Sequence, residues 1–163
     1  KKNIDLKKRL YGSTSQNGIK PGTFDLGLIV CCAKALKKYY NLIDENFKYV
    51  KSLNEKIRKG LNNNKIVLNS STNCSPYILN LSIPGVNGET LVHKLEEKEI
   101  YVSTGSACSS NKKGQSHVLK AIGQNNSSIR FTLSRDNTFY EIDRIVYILK
   151  NSIDIIKCKK KCK

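Results

Sequence analysis

At 163 residues and 39% apolar composition, the chain holds enough material for one modest hydrophobic core, and nothing in its length asks for two. No apolar run approaches the roughly 20 residues of a membrane span, and Lys1-Lys2-Asn3-Ile4-Asp5 lacks the apolar stretch of a secretory signal, so the expectation is a soluble, cytoplasmic protein. A formal net charge of +16, from 29 Lys and Arg against 13 Asp and Glu, raises the question of polyanion binding, but the lysines are scattered and no RNA-binding aromatic signature or DNA-reading motif accompanies them, which leaves a basic nucleic-acid module the weakest reading.

Thr23 follows the flexible stretch from Gly12 to Gly22 and precedes a long periodic segment, which predicts a helix N-cap there. Leu36, Tyr40, Ile43, Phe47, Val50, Leu53, Ile57 and Leu61 recur at three- and four-residue steps, the stripe of one long helix ending near Gly60. Residues 65–68 and 77–83 are short, rich in strand formers and bounded by Asn, Ser and Pro84-Gly85, so both read as strands. Residues 88–97 return to helical spacing and 100–103 to strand character; a short helix over 115–122 stops at Gly123, and 129–133 make another strand. Thr138 and Glu141 form a capping box that opens a last helix. The order helix, strand, strand, helix, strand, helix, strand, helix favours an α+β fold, a small antiparallel or mixed sheet covered by helices, over a doubly wound parallel sheet.

Among the six cysteines, Cys31 and Cys32 fall in an amphipathic helical stretch and Cys74 in a polar turn, and the spacings form no secreted disulfide framework, so reduced thiols are expected. Cys158 and Cys162 have the i, i+4 spacing of a soft-metal grip, but two ligands without nearby histidines leave a zinc site incomplete, and a solvated basic tail over 158–163 is the plainer reading. Cys108 differs, because Ser103-Thr104-Gly105-Ser106-Ala107-Cys108-Ser109-Ser110 is a small-residue loop between strand and helix where a thiol is open to reaction. An isolated cysteine is nevertheless more often a small buried apolar group, and no Cys/His/Asn arrangement for acyl transfer is present; His117 opens a short helix. Arg130 sits inside the apolar run Ile129-Arg130-Phe131, where a cation needs a carboxylate, a phosphate or a ligand as partner. The Gly-rich approach to the first helix, with the Thr23 hydroxyl, is a weak anion-site signal beside the plain reading of a connector.

These residues resemble a family. Ile100 to Ser110, followed by Val118-Leu119-Lys120-Ala121-Ile122-Gly123 and then by Ser127 to Ser134, with Gln16-Asn17-Gly18-Ile19-Lys20-Pro21-Gly22-Thr23 upstream and Ser75-Pro76-Tyr77-Ile78-Leu79-Asn80-Leu81 leading through Gly85 and Gly88-Glu89, are similar in kind and order to the NifS-like cysteine desulfurases, class V aminotransferases of the fold-type I pyridoxal phosphate architecture. The resemblance covers nearly the whole chain and implies the C-terminal portion of such an enzyme: residues 1–23 the end of the large domain with a cofactor-phosphate loop, 24–157 a long helix and the C-terminal small domain, and 158–163 the tail.

In that family a lysine-bound pyridoxal phosphate takes up L-cysteine, and a loop thiolate attacks the substrate sulfur, leaving alanine and an enzyme persulfide for iron–sulfur cluster or thiolation pathways. The resemblance makes Cys108 the nucleophile, Arg130 the ligand of the substrate α-carboxylate, and Thr23 the residue that reaches the cofactor phosphate of the neighbouring subunit in a homodimer. A sulfur acceptor such as an iron–sulfur scaffold protein is the implied partner. Departures are Lys20 where many members have arginine and Gln16-Asn17 where Glu-Arg is common, which weakens charge contacts near the cofactor. The family's cofactor-bearing lysine lies upstream of the matching region; His93-Lys94 mimics its dipeptide but falls in a helix whose buried positions are Leu91 and Leu95, so the chain by itself is expected to bind no cofactor and turn over no cysteine. The alternatives are an inactive sulfur-carrier or partner-docking domain and a selenocysteine lyase.

Overall fold

The computed structural model describes Ile4 and residues 7–104, 117–124 and 127–161. The chain divides into two compact units, Lys1–Ile43 and Asp44–Lys163.

The first unit holds a 3-10 turn at Ser15–Gly18 and helix α1, Leu26–Tyr40. The cap of α1 is Asp25, two residues beyond the expected Thr23: its Oδ1 accepts from the Leu28 N–H at 2.9 Å. A carboxylate directly ahead of the first helical residue outcompetes a more distant hydroxyl, because it meets both the free amides and the positive end of the helix dipole. None of the α1 side chains is buried.

Residues 26–60 are helical in two pieces. Asn41 ends α1, the Leu42 N–H turns back to the Tyr39 carbonyl at 3.0 Å, and α2 restarts over Ile43–Gly60. Asparagine favours turns over helix interiors, and Asp44 and Glu45 supply acidic charge to the new N-terminus. The apolar stripe continues through this break, which is why periodicity alone reads one helix. Only its second half is core: Val50, Leu53, Ile57 and Leu61 are fully buried, whereas Leu36 and Tyr40 are 64% and 67% exposed.

In the second unit, strands β1 (Val67–Leu68), β2 (Ile78–Ser82) and β3 (Ser128–Thr132) make an antiparallel sheet in the order β1-β2-β3. Helix α3 (Gly88–Glu96) packs against β3 and against α5 (Phe139–Lys161), and a short α4 spans His117–Ala121. The α+β expectation with a small antiparallel sheet therefore holds. Leu79 and Leu81 of β2 and Ile129 and Phe131 of β3 join Leu53, Ile57, Leu91, Leu95, Ile142, Leu149 and Ile153 in one core. Each such side chain contributes about 1.5–3 kcal/mol by leaving water.

The capping box forms as read: the Glu141 N–H donates to Thr138 Oγ1 at 3.2 Å and the Thr138 N–H to Glu141 Oε2 at 2.7 Å. That backbone donor holds the Glu141 carboxyl below its usual range. The expected strand over 100–103 reduces to one backbone bridge, Ser103 to Arg130. Its first residue is engaged elsewhere: the Ile100 N–H closes the end of α3 on the Leu95 carbonyl at 3.0 Å, with Glu99 at φ +59°. Helix α5 carries the chain through Cys158 to Lys161.

Candidate functional site

Strand alternation gives the sheet a second face unlike the first. Leu79, Leu81, Ile129 and Phe131 point into the core, so Asn80, Ser82, Ser128 and Arg130 share the opposite side. The register lines up a polar row across four backbone segments. Asn69, just past β1, bonds its N–H to the Asn80 carbonyl at 2.9 Å; Asn80 is the cross-strand partner of Arg130; and Arg130 is bridged on its other side by Ser103.

The backbone bonds fix how Asn80 and Arg130 face one another. Arg130 and Ser103 exchange both N–H···O bonds, at 2.6 and 3.2 Å, while the Asn80 N–H goes to Ser70 Oγ at 2.8 Å and its carbonyl takes the Asn69 N–H. Each residue thus turns its main-chain polar groups away from the other, which makes them a non-hydrogen-bonded pair, the kind whose side chains approach most closely.

Around this pair runs a network of neutral groups. Asn69 Nδ2 donates to Asn80 Oδ1 at 2.6 Å and to Ser82 Oγ at 2.8 Å, and Asn80 Nδ2 donates to Ser128 Oγ at 3.2 Å. Ser82 and Ser128 are buried, and Arg130 is half-buried. Two buried atoms are left without hydrogen-bond partners among the described residues: Arg130 Nε, a charged donor, and Asn69 Oδ1, an acceptor. No ion pair joins Arg130 to a carboxylate among the described residues. A guanidinium left this way has unspent donor capacity that suits a carboxylate or phosphate.

The first unit carries the other sequence-derived candidate. Thr23 is exposed and lines an open hollow of about 640 Å³ with Tyr11, Gly12, Ser13, Ser15, Pro21, Gly22 and Phe24. In the same stretch of chain, Gln16, Asn17 and Gly18 stand in the left-handed region at φ +52°, +58° and +70°. For Gln16 that conformation costs roughly 1–2 kcal/mol, whereas asparagine tolerates it and Asn17 costs less. Gly18 is favoured by its φ of +70°, which a side chain would strain; the Lys8 Nζ that a Cβ there would meet at 2.6 Å is the end of a flexible side chain and can swing away.

Thr23 belongs to the first unit and Arg130 to the second. Cys108 and Cys162 lie outside the described residues. Lys94 behaves as a surface residue: its Nζ bonds both Glu97 carboxylate oxygens, at 2.6 and 2.7 Å, while Leu91 and Leu95 face the core. Cys31, Cys32, Cys74 and Cys158 are exposed free thiols, and no metal-binding cluster occurs among the described residues. No helix among them is long and apolar enough to cross a membrane. Sequence reasoning singled out Arg130 but passed over Asn69, Asn80 and Ser128. The signal lay in the alternation of Asn80 and Ser82 with buried Leu79, Leu81 and Ile83, which marks a second, polar face.

The family model described as aminotransferase class-V matches residues 2–145. Cysteine desulfurase IscS of Buchnera aphidicola subsp. Baizongia pistaciae is 35% identical, in an alignment covering 96% of this chain and 40% of that protein. A solved NifS-like protein superposes with a TM-score of 0.76 at 28% identity, over 96% of this chain and 40% of its own. A NifS-like protein from Rickettsia africae, with a TM-score of 0.77 at 23% identity, shares the fold. The chain spans about two-fifths of the length of these relatives. With the family model matched across both units, the chain belongs to the class-V aminotransferases.

Proposed function

We propose that this chain is the C-terminal part of a pyridoxal phosphate-dependent cysteine desulfurase, which converts L-cysteine to L-alanine and keeps the sulfur as a persulfide on Cys108. The observation that carries the reading is Arg130, a half-buried guanidinium whose Nε lacks a partner on a polar sheet face, in a chain whose similar relatives are named cysteine desulfurases. Its planar fork suits the α-carboxylate of an amino acid.

On this reading residues 1–23 end the large domain, 24–157 form the helix and small domain, and 158–163 are a basic tail. The hollow beside Thr23 is lined by the hydroxyl-bearing residues Ser13, Ser15 and Thr23, chemistry that suits a phosphate group, and Lys20 lies three residues before Thr23. Thr23 would hold the cofactor phosphate of the neighbouring subunit, which makes the working form a homodimer. When bound, the cofactor supplies an electron sink for the substrate carbon. The Cys108 thiolate attacks the substrate sulfur, so an S–S bond forms as the Cβ–S bond breaks; the electron pair stays on the substrate carbon, which is protonated to give L-alanine. The persulfide then passes to an acceptor such as an iron–sulfur scaffold protein in the cytoplasm.

None of the matching motifs supplies a cofactor-bearing lysine, and Lys94 is engaged with Glu97, so these 163 residues alone are expected to release no alanine. The test combines the full-length protein with pyridoxal phosphate and L-cysteine and measures alanine release and intact mass. We expect alanine and a sulfur adduct that vanish in Cys108→Ala, and a rise in KM of about 10–100-fold in Arg130→Gln, the worth of a charged hydrogen-bond pair. A full-length protein that binds the cofactor and releases no alanine overturns the assignment.

A further inference from the structure

We propose that Asn80 is a positioning residue for Arg130, holding the cross-strand place nearest the guanidinium with a neutral, anchored amide so that the cation stays uncompensated for an incoming carboxylate. The inference rests on the reading of Arg130 as the carboxylate ligand and concerns what keeps it available.

Asn80 and Arg130 form the close, non-hydrogen-bonded kind of cross-strand pair, so whatever stands at position 80 meets the Arg130 side chain first. A partly buried arginine is ordinarily matched there by Asp or Glu, since an unpaired cation is expensive away from water. Here every other place in the row is neutral: Asn69, Asn80 and Ser103, with Ser82 and Ser128 alongside. The Asn80 amide is anchored to its neighbours and not to the Arg130 Nε. Its Oδ1 is taken by Asn69 Nδ2 at 2.6 Å and its Nδ2 is directed at Ser128 Oγ at 3.2 Å. The anchored amide fills the space, spends its polar atoms sideways, and leaves Arg130 Nε unpartnered. Asparagine differs from aspartate by one amide group, so a single substitution converts this arrangement into an internal ion pair.

The experiment uses the full-length, cofactor-loaded protein with Asn80→Asp, Asn80→Ser and Arg130→Gln. Its readouts are KM and kcat for L-cysteine and the equilibrium binding of two probes, L-alanine, which has the carboxylate, and ethylamine, which lacks it. A unit charge about 5 Å from the guanidinium at an effective dielectric near 20 predicts on the order of 100-fold weaker L-alanine binding in Asn80→Asp, with a matching rise in KM and ethylamine binding unchanged. Asn80→Ser, neutral and smaller, should change L-alanine binding less than about 10-fold. Equal losses for both variants and both probes would make Asn80 a merely structural residue and overturn the proposal. An Arg130→Gln protein that binds L-alanine as tightly as the parent would instead sink the reading of Arg130, a distinguishable failure.

Discussion

Glu99 stands at φ +59°, in the left-handed position just past the end of α3. The Glu99 and Ile100 N–H groups bond the carbonyls of Glu96 and Leu95 at 2.9 and 3.0 Å, and Ile100 and Leu95 are both buried, so the helix ends in a Schellman turn with its hydrophobic contact. Glycine is the residue this position favours, because a Cβ in the left-handed region costs roughly 1–2 kcal/mol. What glutamate offers in return is a 3.6 Å contact to Arg144 Nη2 with both side chains exposed, worth little. Glu99→Gly is therefore expected to raise stability by about 1 kcal/mol, read as a higher urea midpoint at unchanged slope. A lower midpoint would mean that the ion pair outweighs the backbone strain.

At the scale of elements, α2 and α5 meet closely at Gly60. A Cβ at Gly60 would lie 2.8 and 2.9 Å from the two methyl carbons of Val146, and a β-branched side chain on a helix has no free rotamer into which to retreat. Gly60→Ala sets the usual helix gain of alanine, about 1 kcal/mol, against an overpacking cost of about 1–3 kcal/mol. Net destabilisation is expected in denaturant melts, and Val146→Ala in the same chain should recover most of it. A Gly60→Ala protein more stable than its parent would mean that the helices separate at little cost. Elements of this kind were legible where their cause is local. Thr138 and Glu141 lie within one turn, so their capping box could be read directly, and so could strands whose apolar residues alternate. The break at Asn41 was hidden because the apolar period runs through it. Capping by Asp25 was hidden because Thr23 offers a similar oxygen two residues earlier. The candidate site was legible in part: a cation inside an apolar strand drew attention to Arg130, but the Asn69–Asn80–Ser128 network depends on register between segments far apart in sequence. Local chemistry marked Cys108 by its small-residue loop and Thr23 only as a weak anion-site signal; their roles as nucleophile and phosphate ligand came from family resemblance.

Across the whole molecule, the two units differ in what holds them. The second has a core of fully buried Leu and Ile drawn from α2, the sheet, α3 and α5, whereas the first presents a 15-residue α1 with no buried side chain, including Leu26, Leu28 and Leu36 at 69%, 68% and 64% exposure. Helix propensity alone barely sustains about 12–15 residues in water, because nucleation is costly and tertiary packing normally supplies the rest. Hydrogen exchange on the 163-residue chain should therefore find α1 amides within about tenfold of free-peptide rates, while the buried amides of β2, β3 and α2 exchange orders of magnitude more slowly. Strong protection of α1 would contradict this and would mean that its leucines are covered in solution. Repeating the measurement over a range of protein concentrations then separates two causes. Protection that fades on dilution belongs to association between copies through α1, and protection that does not fade belongs to packing within one chain. The division of stability between the units follows from burial: a helix whose apolar residues face water gains little by staying folded, however regular its sequence.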